Sequence, residues 1–179
     1  MKTLIALLVA VSALLPAAAR AEHAKRGGAA MPGMARIGAL VVERAWARSS
    51  LTGNGAAYVT VRNTGTAMDR LVGIRTPVAA RAELHTHSMD KGIMRMRQLS
   101  AIEIHPGAPA VMRPGGNHIM LIGLTSRLRK GGMVALTLVF EKAGAVTVQA
   151  RILGPGARGP AAGPGGGHKQ HQKKGGHTD

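Results

Sequence analysis

The chain of 179 residues contains no cysteine, and it has only one tryptophan, one tyrosine and one phenylalanine. Without cysteine it can form neither a disulfide framework nor a thiolate metal site, so its stability has to come from a packed core. Three aromatic side chains are also too few to build a stacking platform for nucleic-acid bases. The sequence therefore excludes cysteine-based metal and redox chemistry.

Charge of one sign is scarce: 8 acidic residues stand against 24 lysines and arginines, which gives a formal net charge of +16. Such an excess can indicate an anionic partner. The basic residues are scattered along the chain, however, and do not form a stripe with interleaved aromatic residues. We expect a basic surface and no nucleic-acid partner.

Long hydrophobic runs are absent as well. The longest, Leu4–Leu15, follows Lys2 and leads to an Ala-x-Ala site ending at Ala21. This arrangement predicts that residues 1–21 are a secretory signal peptide and that the protein is exported to the periplasm. The run is shorter than the roughly 20 residues that cross a bilayer, so we expect no membrane span.

Composition divides the remaining chain into three parts. Residues 22–36 are rich in glycine, alanine and charge without apolar periodicity, which predicts a flexible arm. Residues 154–179 are dominated by glycine and proline, a composition that cannot bury enough apolar surface to fold, and we predict a disordered tail. One folded domain is expected at residues 37–153.

Short alternating or apolar segments bounded by glycine, proline, asparagine or aspartate indicate β-strands inside this domain. No segment has a convincing helical period with caps. "MDKGI" and "RPGGN" supply tight turns with glycine in a left-handed conformation. We therefore predict an all-β antiparallel sandwich or small barrel. The predicted strands are "LVVERAWARS", "AAYVTVRN", "DRLVGIRT", "AELHTHS", "HIMLIGL", "MVALTLVF" and "AVTVQARIL".

Alternation along these strands gathers histidine and methionine on shared faces, because residues i and i+2 point to the same side. In "AARAELHTH" the even positions are apolar, so both histidines lie on the polar face. Alternation alone does not choose between these two histidines, or between the two methionines of "IMRM". The pairs that share a face are His85 with His87, Met94 with Met96, and His118 with Met120.

Thioether sulfur is a soft ligand, and among common biological metals it selects monovalent copper. A blue-copper electron-transfer site requires a cysteine thiolate and is excluded here. Methionine also fills irregular gaps in protein cores, and we assign that role to Met68, Met112 and Met133. Met96 and Met120 differ, because each lies near histidines on a face that otherwise carries polar groups.

The spacing H-x10-M-x21-H-x-M resembles that of the PCu(A)C family of periplasmic copper chaperones. The surrounding words "ERAWARSS", "GAAYVTVRN", "ELHTHSMDKGIMRMR", "PGGNHIMLIGL" and "LTLVFEKAGAVTVQ" are similar to that family over nearly all of residues 40–152. The resemblance implies a cupredoxin-like β-sandwich with a Cu(I) site of two histidines and two methionines. Its implied ligands are His85, Met96, His118 and Met120.

Other histidines and methionines surround this implied site or lie in the tail. We expect His87, Met89 and Met94 to be exposed residues or neighbours of the site, and the alternative is a rim that receives or relays copper. His105 is expected to be structural or exposed. For the tail, a second site that captures Cu(II) competes with an incidental solubilising role. The tail residues concerned are His168, His171 and His177.

The resemblance implies a carrier that passes Cu(I) to a copper-accepting protein, either the copper subunit of cytochrome c oxidase or another copper assembly factor. One rival function is copper sequestration for tolerance, without a delivery partner. A second rival, an oxidative polysaccharide-cleaving enzyme, needs histidine as the mature N-terminal residue. His23 would fill that position only after cleavage following Glu22, an unsuitable signal-peptidase site. We expect a protein that is not an enzyme.

Overall fold

A computed structural model describes residues 31–90 and 92–160 of the chain. The predicted signal peptide, most of the predicted arm with His23, and the tail histidines lie outside the described residues. No helix among the described residues has the length and apolar composition needed to cross a bilayer.

The described chain is built from strands, as the sequence predicts. Each of the seven predicted segments coincides with a strand, and two of them, at His118–Leu124 and Met133–Phe140, match it residue for residue. The strands are β1 Ala35–Ile37, β2 Leu40–Arg48, β3 Asn54–Asn63, β4 Asp69–Arg75, β5 Ala79–Asp90, β6 Ile93–Leu99, β7 Ile102–Ile104, β8 Ala110–Val111, β9 His118–Leu124, β10 Met133–Phe140 and β11 Gly144–Leu153.

All strands belong to one sheet with the order β6-β5-β9-β3-β2-β11-β10-β4-β7, to which β1 adds beside β2 and β8 beside β3. The antiparallel prediction is correct for every pair except β11 with β2, which run parallel. β11 forms an antiparallel hairpin with β10 on one side, and on its other side it lies parallel to β2. The fold is therefore a mixed sheet.

The end strand β7 folds back over the middle strand β3 across a common core. The buried side chain of Asn63 on β3 donates through Nδ2 to the carbonyl oxygen of Ile104 on β7, at 3.1 Å. Leu71, Leu121 and Leu136 on different strands are fully buried in the single hydrophobic cluster. The inner faces of the curled sheet thus enclose the core and leave β6 and β5 at one outer edge.

The fold extends beyond the predicted domain limits at both ends. Gly33 donates its N–H to the carbonyl oxygen of Gln149 at 2.7 Å, and β1 begins at Ala35. At the other end the guanidinium of Arg48 donates two hydrogen bonds, of 3.0 and 2.8 Å, to the carbonyl oxygen of Ala157. Backbone hydrogen bonds at Gly33 and side-chain hydrogen bonds from Arg48 to Ala157 therefore attach parts of the predicted arm and tail to the domain.

Both predicted turns adopt the expected conformation. Gly92, between β5 and β6, has φ = +81°, and Gly115, in the turn before β9, has φ = +79°. The second turn is closed by hydrogen bonds from Gly116 N–H to the Arg113 carbonyl oxygen and from Arg113 N–H to the Asn117 carbonyl oxygen. These turns fix where β6 and β9 begin, and so they fix the register of the side chains on both strands.

Asp69 is a buried carboxylate that ties the start of β4 to the β10–β11 turn. Its oxygens accept hydrogen bonds from the backbone N–H groups of Arg70, Lys142 and Ala143 at 2.7–3.0 Å. Burial raises the pKa of this carboxyl, but the three N–H donors and the charge of Lys142 outweigh burial, so the pKa is lower than usual. The ionised form is therefore the one that stabilises the fold.

We expect Asp69→Asn to lower the free energy of unfolding at pH 7 by about 2 kcal/mol, because the variant loses charge-assisted hydrogen bonds. The wild-type contribution is complete above the unfolded-state pKa of about 3.9 and is lost as pH falls through the lower folded-state pKa. Urea unfolding between pH 7 and pH 2.5 measures this, and the variant should have a flatter acid limb.

Asp90→Asn is the matched control, since Asp90 forms only a half-exposed ion pair with Arg95. Its effect should stay below about 0.5 kcal/mol. Equal urea midpoints for Asp69→Asn and the wild type at pH 7 would contradict a stabilising role for the carboxylate.

Candidate metal site

The candidate ligands lie on the outer face of three neighbouring strands, β6, β5 and β9. In the register of β5 with β9, His85 faces His118 and Glu83 faces Met120. In the register of β5 with β6, His87 faces Met96. Directly opposed residues have Cβ atoms about 5 Å apart. Histidine and methionine that are far apart in sequence are therefore neighbours on one surface of the sheet.

His118 is the most buried of these side chains, with 4% of its surface exposed. Its Nδ1 lies 2.9 Å from the carbonyl oxygen of Gly116 and donates a hydrogen bond to it, which leaves Nε2 with its lone pair. Burial lowers the pKa of His118; the Gly116 carbonyl opposes this shift, and His87 and His85 add to it. The ring is thus held neutral, the form that binds metal.

His85 is oriented by a carboxylate on its own strand. Its Nε2 lies 2.9 Å from Oε2 of Glu83, whose other oxygen is 3.7 Å from Nε of Arg81. Nδ1 of His85 is buried and has no hydrogen-bond partner among the described residues. A carboxylate that holds one imidazole nitrogen while the other is free is the usual setting of a metal-binding histidine. Nδ1 is therefore the donor atom that His85 offers.

His87 lies next to His118 and belongs to the same cluster of histidines. Its ring stacks on that of His118, with centroids 4.8 Å apart and planes 22° apart, whereas the His85 and His118 centroids are 5.9 Å apart with planes at 43°. Nδ1 of His87 is also buried without a partner among the described residues. The side chain is half-buried, and its parallel stacking supports the His118 ring from one side.

The methionines differ in exposure. Met120, on the inner strand β9, is half-buried, and its register partner on β3 is the small residue Ala56. Met96, on the edge strand β6, is 47% exposed. Met89 and Met94 face each other near the β5–β6 turn and are more exposed than Met96. The predicted rim methionines therefore lie at the open end of the hairpin, on the same face as the candidate ligands.

Two aromatic residues continue this face away from the histidines. The ring of Tyr58 lies 6.5 Å from that of His118, centroid to centroid, and stacks on Trp46 at 4.3 Å. Trp46 faces Tyr58 in the register of β2 with β3. The sequence did not lead us to predict that this aromatic pair or Glu83 lies beside the candidate ligands. The alternation that assigns His85 to the polar face also assigns Glu83 to it, so the signal for the carboxylate was present.

The remaining candidates lie elsewhere. Met112 is buried in the core, as expected, but Met133 is 40% exposed at the start of β10 and does not fill a core gap. Met68 is half-buried near Asp69. His105 is exposed after β7, at the opposite edge of the sheet, with Nε2 3.0 Å from Oε2 of Glu103. None of these side chains belongs to the candidate metal site.

Chemistry restricts what this face can hold. Among the described residues, no three histidine, aspartate or glutamate side chains are arranged to hold a metal ion. A site here needs thioether sulfur to complete its coordination, which favours a soft monovalent ion over zinc, calcium or magnesium. The residues present therefore suit monovalent copper.

Three comparisons with known proteins bear on this arrangement. The model of the LpqE-like family, described as "Putative lipoprotein LpqE-like", matches residues 40–152. A curated relative from Leifsonia xyli subsp. xyli, "Putative lipoprotein Lxx21020", is 34% identical over 101 residues, which cover 56% of this chain. The match spans 61% of that relative's length.

The solved structures that are similar include the "Copper-bound PCuAC domain from PmoF2", with a TM-score of 0.59, 28% identity and coverage of 68% of this chain and 98% of that one. The "Apo PCuAC domain from PmoF1" has the same TM-score and 27% identity, with coverage of 68% and 99%. The predicted resemblance to PCu(A)C domains and the cupredoxin-like fold class are confirmed. Since the family model covers more than half of the chain, this protein, with its His/Met face on a PCuAC-type sheet, belongs to the LpqE-like family.

Proposed function

We propose that this protein carries Cu(I) as its cargo, binding one ion through His85, Met96, His118 and Met120. The observation that carries the proposal is the pairing of His85 with His118 across β5 and β9. A free, buried Nδ1 on His85 and a backbone-anchored Nδ1 on His118 support it. The similarity to a copper-bound PCuAC domain over 68% of the chain gives independent support.

The four donor groups are electrically neutral, which determines the oxidation state they favour. Two imidazoles and two thioethers do not compensate the second positive charge of Cu(II), while soft sulfur prefers Cu(I). Glu83 binds the far side of His85 and fixes the orientation of that imidazole. The site holds Cu(I) without a thiolate, so an oxidising compartment cannot inactivate it through disulfide formation.

Release follows from the position of Met96. This side chain is 47% exposed on an edge strand, so an incoming ligand can replace its sulfur without opening the core. Met89 and Met94 are placed at the same open end and would offer further thioethers as the ion enters or leaves. Transfer then proceeds by ligand exchange, in which each Cu–S bond that breaks is replaced by a bond to the acceptor.

We propose that the protein delivers Cu(I) in the periplasm to the copper subunit of cytochrome c oxidase or to another copper assembly factor. The predicted signal peptide at residues 1–21 directs export. In this reading the protein is a chaperone and has no catalytic residues. Gene deletion separates delivery from sequestration: loss of oxidase activity at low copper supports delivery, whereas sensitivity to excess copper alone supports sequestration.

We predict that changing Met96 and Met120 together to leucine weakens Cu(I) binding by about a hundredfold or more, because leucine keeps the volume but removes both sulfur donors. His118→Ala should have a comparable effect. Competition with a Cu(I)-specific chelator measures the affinity. Met133→Leu, on an exposed strand position outside the site, is the matched control. Unchanged affinity in His118→Ala or in the double variant would refute the ligand assignment.

Glu83→Gln tests the support of His85. We expect a loss of Cu(I) affinity of roughly ten- to a hundredfold, since a neutral amide oxygen accepts a weaker hydrogen bond than the carboxylate that orients the ring. His87→Ala should cost less than His85→Ala, because His87 stacks on His118 but is not proposed as a ligand. X-ray absorption of the Cu(I)-loaded wild type should report two nitrogen and two sulfur neighbours. A larger loss in His87→Ala than in His85→Ala would reverse the assignment.

The tail histidines are proposed as a separate Cu(II) site. Replacing His168, His171 and His177 by asparagine should remove one equivalent of bound Cu(II) and leave Cu(I) affinity unchanged, because imidazole binds Cu(II) well without sulfur. Copper titration of the full chain, followed by electron paramagnetic resonance, measures the Cu(II) equivalents. The same Cu(II) stoichiometry in the variant and the wild type would show that these histidines are incidental.

A further inference from the structure

Beside the candidate copper site lies a cleft lined by arginine. It consists of two adjoining cavities of about 410 and 300 Å³ that share Arg113 and Arg158. Arg48 also lines the first cavity, and Arg44 and Arg62 line the second. We call this feature the arginine cleft and define it by those five residues.

The arginine cleft has little negative charge to balance it. Its only acidic lining residue is Glu43, which pairs with Arg62 at 3.1 Å. Within residues 31–90 and 92–160, no carboxylate forms an ion pair with Arg48, Arg113 or Arg158. Guanidinium groups that converge without a carboxylate attract an anionic ligand, which they can bind in a bidentate manner.

One of these arginines is held in place before any ligand binds. Arg48 donates through both Nε and Nη2 to the carbonyl oxygen of Ala157, and its guanidinium lies 5.9 Å from the ring centroid of Tyr58. Its remaining N–H groups are left for an external acceptor. A side chain that is already ordered loses little conformational entropy on binding, which favours affinity.

The arginine cleft is continuous with the outer face of β5, β6 and β9 that carries the candidate metal site. Tyr58, below Arg48, lies 6.5 Å from the His118 ring, centroid to centroid. Arg113 begins the turn whose Gly116 carbonyl anchors His118. A ligand in the arginine cleft therefore contacts the same turn that positions a proposed copper ligand.

Resting on the proposed function, we propose that the arginine cleft docks an acidic segment of the copper-accepting protein. Carboxylates of that segment would bind Arg48, Arg113 and Arg158, and apolar wall residues such as Pro109 and Val111 would contact its other side chains. Docking there brings the acceptor's copper ligands beside His118 and the exposed Met96. The apolar walls favour a peptide over a small inorganic anion.

The test uses the full chain without copper and a fluorescein-labelled peptide of eight glutamates as the probe. Fluorescence anisotropy measures the affinity of the wild type, of Arg113→Gln with Arg158→Gln, and of Arg127→Gln with Arg129→Gln. The second pair removes the same charge from exposed positions outside the arginine cleft. We expect the first pair to bind about tenfold more weakly or worse, and the control pair to stay within about twofold of the wild type.

Three results would overturn the proposal. The wild type does not bind the peptide, the two double variants lose equal affinity for it, or Arg113→Gln with Arg158→Gln weakens the binding of other anionic probes but not of the peptide. Inorganic phosphate and vesicles containing phosphatidylglycerol serve as those probes, and dependence on Arg113 and Arg158 with these alone would indicate a small-anion or membrane site. Chelator competition should give the same Cu(I) affinity for both double variants. Because the peptide assay contains no copper, its failure is distinguishable from failure of the copper site.

Discussion

The register between β5 and β9 is the constraint on which the His/Met face depends. It places His85 opposite His118, on strands that three other strands separate along the chain. On the inner side, the same register sets Leu84 against Ile119, and both are buried in the core. A slip of one residue would turn the imidazoles into the core and expose these leucine and isoleucine side chains. Hydrophobic packing on one face thus determines the spacing of donor atoms on the other.

The same outer face carries the histidine and methionine side chains next to a group of arginines. Soft donors are grouped on β5, β6 and β9, while guanidinium groups surround the aromatic pair Trp46 and Tyr58 on β2 and β3. His118 lies where the two regions meet, with Tyr58 on one side and His87 on the other. A partner that binds across this face would contact the guanidinium groups and the proposed metal ligands together, so recognition and transfer would share one surface.

Much of this arrangement could be predicted because strands alternate. Strand positions, the turn at Gly92 and the shared faces of the histidines and methionines all follow from local pattern. The parallel pairing of β2 with β11 does not, because alternation is the same for parallel and antiparallel neighbours. Nor does the attachment of residues 154–160, a glycine- and proline-rich segment whose Ala157 carbonyl oxygen accepts two hydrogen bonds from Arg48. Alternation also leaves His85 and His87 equivalent, and only the register with β9, a tertiary feature, sets His85 opposite His118.

The exposure of Met96 also has a consequence for redox chemistry. Oxidants convert an exposed thioether to a sulfoxide, which adds a hard oxygen and makes the side chain polar. Met120, half-buried on the inner strand, is more protected from the same reaction. If Met96 and Met120 are the sulfur donors, as proposed, oxidative stress would remove the first before the second and leave the proposed site with a single sulfur. Reduction by a methionine sulfoxide reductase would restore Met96, so copper loading of the proposed site would depend on the repair state of one side chain.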